Sequence, residues 1–256
     1  MWDPEQYARF SAERSRPFYD LFDRLGNLTV TSAVDLGCGG GDLTRLFVKR
    51  WRGARVLGLD SSPEMLAQAA LYAVPGQLAF ELGAIERWQP ETPVDLLFSN
   101  AALQWVPDHP ALIPRLARSV ARKGVLAVQM PDNFDAPSHR VIGEVACDPA
   151  WRDALEGLGR RPGILPLAWY VQTLLALGFK VDAWATEYYH VLAGENAVLE
   201  WVKGTALRPH LARLQTPEQQ QAFLTAVGEK LQKAYPAGEG GTLFPFRRIF
   251  FIATRV

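Results

Sequence analysis

The 256-residue chain holds only two cysteines, Cys38 and Cys147, and three methionines. Two thiols make neither a disulfide framework nor a four-cysteine zinc site. The four histidines, His109, His139, His190 and His210, lack a compact ligand spacing, so no metal centre is expected. An excess of one charge is also missing. Twenty-seven Lys and Arg balance 27 Asp and Glu, which excludes the basic surplus of a nucleic-acid binder. No run approaches the ~20 apolar residues of a membrane span. Met1-Trp2-Asp3-Pro4-Glu5 is polar and acidic, unlike a secretory signal. The expectation is a cytoplasmic globular protein with neither nucleic acid nor membrane as partner, its protein partners unknown. Its 48% hydrophobic content suffices for one large domain, or for a domain with a cap.

What is present is a rhythm of apolar runs and amphipathic stretches. Tyr7, Phe10, Phe18, Leu21, Phe22 and Leu25 fall at three and four spacings before Gly26, predicting an opening helix. Runs at 31–36, 55–60, 78–82, 94–99 and 125–130 predict strands. Helices are expected from Asp42, from Ser61-Ser62-Pro63, and over 110–121 with Lys123-Gly124 as a stop. Such alternation predicts a parallel sheet covered on both faces. Past Met130 the rhythm breaks. Residues 131–166 read as irregular, 167–177 as a helix capped by Gly178, and 179–184 as a strand extending toward His190. Residues 196–235 read as helix interrupted at Arg208-Pro209 and Thr216-Pro217, before a last strand at 246–254. The expected organisation is a ligand-binding core with N-terminal helices over 1–130. Lid insertions follow at 131–166 and 193–243, while 167–192 and 244–256 complete the core sheet.

The first strand runs into Asp35-Leu36-Gly37-Cys38-Gly39-Gly40-Gly41. Glycines there permit positive φ and close approach of a ligand to the backbone. Asp60 ends the second strand about 20 residues on, where an acid can hold a ribose diol. A dinucleotide fingerprint counted from Gly37 and Gly39 needs glycine at position 42. That position is Asp42, an acid that would repel a pyrophosphate. The G-x-x-x-x-G-K-[ST] phosphate loop is also missing.

The loop resembles the D-x-G-x-G-x-G motif of class I S-adenosylmethionine (AdoMet) methyltransferases, whose ligand has no phosphate and carries ammonium and sulfonium charges. The resemblance implies a Rossmann-like α/β fold, mostly parallel with an antiparallel last strand, and a mainly helical lid. It implies AdoMet as cofactor, held by Asp35, Gly37, Gly39, Gly41, Asp60, Ser61, Met65, Ala84, Ile85 and Asn100. One departure stands out. Many such enzymes place an acid after the third strand for the adenine amino group, where this chain has Gly83-Ala84-Ile85.

Longer strings resemble the trans-aconitate methyltransferase family over nearly the whole chain. They are Phe10-Ser11-Ala12-Glu13-Arg14-Ser15-Arg16-Pro17, Asn100-Ala101-Ala102-Leu103-Gln104-Trp105-Val106-Pro107-Asp108-His109 and Val128-Gln129-Met130-Pro131-Asp132-Asn133. Glu187-Tyr188-Tyr189-His190 and Gly204-Thr205-Ala206-Leu207-Arg208-Pro209 complete the set. This resemblance implies methyl transfer from AdoMet to one carboxylate of trans-aconitate, giving a monomethyl ester and S-adenosylhomocysteine. Another small carboxylic acid, or a malonyl thioester, is the alternative acceptor.

Elementary chemistry agrees with that implication. A carboxylate of pKa near ~4 is already a nucleophile at neutral pH. Holding it in line with the methyl group can supply ~7–11 kcal/mol of the barrier. A polycarboxylate also needs arginines, which neutralise it bidentately. The substrate candidates are Arg14 and Arg16 in the opening helix, Arg208 in the lid, and the Arg247–Arg248 pair. Arg14 and Arg16, two apart on a helix, cannot face the same way. Alternation sends only one of Arg247 and Arg248 inward, and Arg247 is the candidate carried forward. Gln104, Trp105 and Tyr189 are the catalytic candidates, with Tyr7, His190 and Trp201 as further substrate contacts.

Overall fold

The computed structural model describes residues 11–158 and 163–256, leaving aside the side chains of residues 11, 12 and 14. In chain order the elements are α1 (Ser11–Arg24), β1 (Ser32–Leu36), α2 (Arg45–Arg50), β2 (Arg55–Asp60), α3 (Pro63–Ala69), β3 (Leu78–Leu82), β4 (Val94–Asn100), α4 (His109–Arg118) and β5 (Val120–Pro131). Then come α5 (Pro137–Ala146), α6 (Leu167–Ala176), β6 (Phe179–Leu192), α7 (Ala197–Lys203), α8 (Arg208–Arg213), α9 (Pro217–Ala234), β7 (Ala237–Gly238) and β8 (Gly241–Arg255). The chain divides into two compact units. The first holds the described residues of Arg16–Pro131, Pro162–Thr186 and Arg248–Val256, the second those of Met1–Ser15, Asp132–Arg161 and Glu187–Arg247.

The sheet order is β3-β2-β1-β4-β5-β8-β6, with the short β7 paired to β8. Strands β1 to β5 pair in parallel, and β8 returns antiparallel to β5. This is the class I methyltransferase arrangement that the glycine loop implied. Parallel strands are covered on both faces, and Leu96-Leu97-Phe98 of β4 are accordingly all fully buried. Local chemistry sets the helix starts. Ser62 Oγ accepts from the Met65 N–H ahead of Pro63, and Thr216 with Gln219 closes a capping box on α9.

Several expected boundaries move. The helix expected from Asp42 begins at Arg45, because residues 42–44 make a preceding turn. The helix expected to reach 121 stops at Arg118, and β5 starts at Val120. Between Val120, opposite Val94, and Val125, opposite Leu96, the strand bulges. Lys123 takes a left-handed φ of 62° there, so what reads as a helix stop is a strand irregularity. The stretch expected to be irregular holds α5, β6 runs to Leu192, and β8 begins at Gly241.

Each unit has its own core. In the first, Phe18 stacks on Phe22 at 5.1 Å, and Phe98 meets Phe18 and Phe47 edge-on at 5.4 and 5.2 Å. In the second, Trp201, Phe223, Phe244 and Tyr235 pack with Leu and Val from α5, α7 and α9. Among the described residues no helix is long and apolar enough to cross a membrane. Phe47 is fully buried. Phe47→Ala is therefore expected to cost about 3–5 kcal/mol, read as a lowered urea midpoint. A loss below about 1 kcal/mol would remove this cluster from the core that carries the fold.

Candidate functional site

Parallel pairing brings the C-terminal ends of β1, β2, β3 and β4, at Leu36, Asp60, Leu82 and Asn100, to one edge of the sheet. Strand order reverses at β1, which lies between β2 and β4, and ligands of open α/β sheets bind at such a switch point. The glycine loop leaves β1 there. Gly37 and Cys38 both donate their N–H to Leu59 O, at 2.8 and 3.0 Å. Gly37, Gly39 and Gly41 all have positive φ, at 79°, 55° and 76°. A Cβ on Gly37 would lie 2.2 Å from Ala102 Cβ, and one on Gly41 would lie 2.8 Å from the Phe80 ring. A Cβ on Gly39 would meet nothing within 4 Å. Two of the glycines are thus required by packing, whereas Gly39 presents bare backbone to open space.

Two acids bracket that backbone. Asp60 Oδ2 accepts from the Gly39 N–H and Oδ1 from the Ser62 N–H, both at 2.9 Å. These bonds use two of about four lone-pair positions on the half-buried carboxylate, leaving room for a ligand hydroxyl. Asp35 is buried and accepts from Thr44 Oγ1 at 2.6 Å. Burial pushes its carboxyl up to about 7 against the Thr44 bond, with help from Asp60 and Asp42. Burial also drives the Cys38 thiol far above its ordinary range, and Asp35 and Asp60 push the same way. A cation at this position would relieve both acids.

The loop after β3 carries Ala84, half-buried, and Ile85, buried, with no acid at 84. It is held by an arginine that sequence reasoning passed over. Arg115 on α4 donates to Ile85 O at 2.6 Å and to Trp88 O. The turn after β4 is held on both sides. Ala101, in the left-handed region at φ 53°, donates to Gln129 O at 3.0 Å and accepts from Gln104 Nε2 at 2.6 Å. Left-handed alanine costs roughly 1–2 kcal/mol, which such bonds offset. Asn100 Oδ1, beside it, is buried without a partner among the described residues. Trp105 stands 62% exposed on this turn. Beneath it His109 donates from Nε2 to Leu103 O at 2.9 Å, so its Nδ1 accepts from Tyr170 O–H at 2.5 Å. Burial holds the His109 pKa low, keeping the ring neutral for this relay.

The other candidates scatter. Tyr7 and the Arg14 side chain lie outside the described residues. Arg16 is exposed in the first unit, and Ser61 and Met65 sit at the start of α3. The remaining five, Arg247 among them, fall in the second unit. Tyr189 is exposed and donates to Glu187 at 2.6 Å. His190 is buried and stacks on Trp201 at 4.9 Å. Trp201, 1% exposed, belongs to that unit's core, and Arg208 is exposed at the start of α8. Alternation on β8 resolves against the arginine carried forward. Arg247 is exposed and paired with Asp132 at 3.0 Å, whereas Arg248 is the buried one. Arg115, Thr44, Tyr170 and His109 act through hydrogen bonds that span from 6 to 61 residues in sequence, where no spacing rule signals them.

Comparison with known proteins follows the same lines. A family described as a methyltransferase domain matches residues 33–124. The trans-aconitate 2-methyltransferase of Streptomyces avermitilis is 48% identical over 98% of this chain and 96% of its own. That of Klebsiella pneumoniae is 44% identical over 100% and 98%. The structure resembles that of an S-adenosylmethionine dependent methyltransferase from Mesorhizobium loti, with a TM-score of 0.53 at 18% identity, covering 94% of this chain and 98% of the other.

The three loop glycines are expected to separate on mutation. Gly39→Ala should cost about 1 kcal/mol of stability, from its left-handed backbone alone. Gly37→Ala, which adds a clash with Ala102, should cost at least about 2 kcal/mol more in chemical denaturation. Equal losses would contradict the packing described here.

Proposed function

The chain belongs to the trans-aconitate 2-methyltransferase family, and we propose that it transfers the methyl group of AdoMet to a carboxylate of trans-aconitate, yielding the monomethyl ester and S-adenosylhomocysteine. The observation that carries this reading is the open backbone at Gly39 set between two carboxylates, Asp35 and Asp60. A phosphate would be repelled there, while a phosphate-free cation is favoured.

The residues present fit AdoMet. The backbone of Gly37 to Gly41 with Asp35 and Asn100 would hold the methionine part, and Asp60, with Ser61 and Met65 nearby, the ribose. At Ala84 there is no acid for the adenine, so the backbone of Gly83 to Ile85, clamped by Arg115, takes that task. Bound in this way, the cofactor supplies an electrophilic methyl group on a sulfonium. The chain needs no general base, since a carboxylate acceptor is ionised at neutral pH. Its work is positioning. Gln104 fixes Ala101 and with it the turn that carries Trp105, whose exposed indole orients the acceptor. Arg16 neutralises acceptor charge in the first unit. To residues 131–166 and 193–243 we assign substrate binding, with Arg208 as their polar group and Tyr189 of β6 as a further one, and we give His190 and Trp201, stacked on each other, a packing role. The free thiols Cys38 and Cys147 suit a reducing compartment, and we place the reaction in the cytoplasm.

Incubation with AdoMet and trans-aconitate is expected to give an ester one methylene heavier, detected by mass spectrometry. No product at saturating concentrations of both would overturn the reading, and turnover of a malonyl thioester alone would redirect it. Asp60→Ala should weaken AdoMet binding at least about tenfold, the worth of a hydrogen bond to a charged group, by calorimetry. Asp35 adds a pH signature. Its folded pKa of about 7 exceeds the ordinary 3.8, so the apo protein binds a proton there below neutrality. Raising pH from 4 towards 7 removes that proton first from the unfolded chain and so lowers stability. A cationic ligand favours the ionised form, so AdoMet affinity should rise across neutrality and level off above. Asp35→Asn should flatten that rise; an unchanged profile would detach Asp35 from the cofactor.

A further inference from the structure

We propose that Arg248 and Gln129 form the anchor for a carboxylate of the methyl acceptor. The inference rests on the methyltransferase reading above and adds the group that grips the substrate.

Register places the parts together. Asp35 on β1 lies opposite Phe98 on β4, and Asn100, two residues further, shares that face. Asn100 lies opposite Gln129 on β5, Gln129 lies opposite Phe250 on β8, and Arg248 is two residues along on the same face. One face of the sheet thus carries a polar row, Asp35, Asn100, Gln129 and Arg248, at the site edge. Inward of Asn100, Gln129 and Arg248 the same face is apolar, at Phe98, Ala127 and Phe250. A polar row in this setting is costly unless it meets polar partners.

Asn100 and Gln129 of this row are only partly satisfied among the described residues. Arg248 is 6% exposed and Gln129 fully buried. Arg248 donates from a terminal guanidinium nitrogen to Gln129 Oε1 at 3.4 Å, which sets the two side chains next to each other. That bond engages the amide oxygen, and Gln129 Nε2 is buried with no partner among the described residues. A guanidinium beside an unmet amide donor makes a two-pronged receptor for a carboxylate.

Two carboxylates could come here, that of the acceptor acid and that of AdoMet itself. Strand position favours the acceptor. The ribose acid and the adenine loop follow β2 and β3, on one side of β1. Gln129 and Arg248 lie on β5 and β8, two and three strands away on the other side. At about 4.8 Å per strand that is ~10 and ~14 Å across the sheet, beyond the turn carrying Trp105.

The test measures KM for trans-aconitate and AdoHcy affinity in wild type, Arg248→Met and Gln129→Glu. Gln129→Glu keeps the side-chain shape and replaces the donor with an anion. KM is expected to rise about 10–100-fold in both variants, the loss of charge-assisted hydrogen bonds, while AdoHcy affinity stays within about twofold. An unchanged KM in Gln129→Glu overturns the anchor. So does a matching fall in its AdoHcy affinity, which would assign the pair to the carboxylate of the cofactor. Wild-type turnover separates the two levels: its absence counts against the trans-aconitate reading, and its presence with unaffected variants counts against the anchor alone.

Discussion

A single carboxylate that accepts backbone N–H groups from two directions organises this protein. Asp60 ties the glycine loop, through Gly39, to the entry of α3, through Ser62. The loop could otherwise turn its N–H groups towards water or towards the sheet. With the two bonds made, Gly39 faces open space while Gly37 is pressed against Ala102. The turn after β4 is located by that pressure, and its strained Ala101 by Gln129 and Gln104. Geometry fixed by backbone groups is insensitive to side-chain motion, which suits a reaction whose barrier falls by alignment rather than by proton transfer.

The zero net charge is a sum of opposite local demands. At the end of β1 burial raises the Asp35 pKa to about 7 against its Thr44 hydrogen bond, and the neighbouring acids Asp60 and Asp42 add to the rise. Across the sheet at β8 stands a buried arginine. A cofactor with a cationic sulfonium and an acceptor with several carboxylates call for opposite fields within a few strands of each other. A bulk surplus of either sign would favour one ligand at the expense of the other.

The βα rhythm, the glycine loop and Asp60 were legible because each depends on local pattern: period, positive φ and strand-end position. The antiparallel last strand and the acceptor came through family resemblance rather than from periodicity. Boundaries failed where local signals were ambiguous. Lys123-Gly124 terminates a helix in sequence logic, but the pairing of Val120 with Val94 draws the strand back past it. The clamps were invisible for another reason. Arg115 and Tyr170 act across 27 to 61 residues, Thr44 and His109 across shorter spans that no motif marks, and a lone Arg or His on an amphipathic helix has no periodic signature. Alternation could say that one of Arg247 and Arg248 is buried, but not which one. That depends on the register between β5 and β8.

The depressed acidity of Cys38 has a consequence for the handling of the protein. Thiolate is the reactive form, and a buried thiol flanked by two carboxylates supplies almost none at neutral pH. Cys147, at the end of α5, carries a free thiol that is exposed to solvent. The chain therefore behaves towards maleimides and mild oxidants as a protein with one cysteine. A dye or spin label would enter at a single defined point, remote in sequence from the glycine loop, with no substitution needed to protect it.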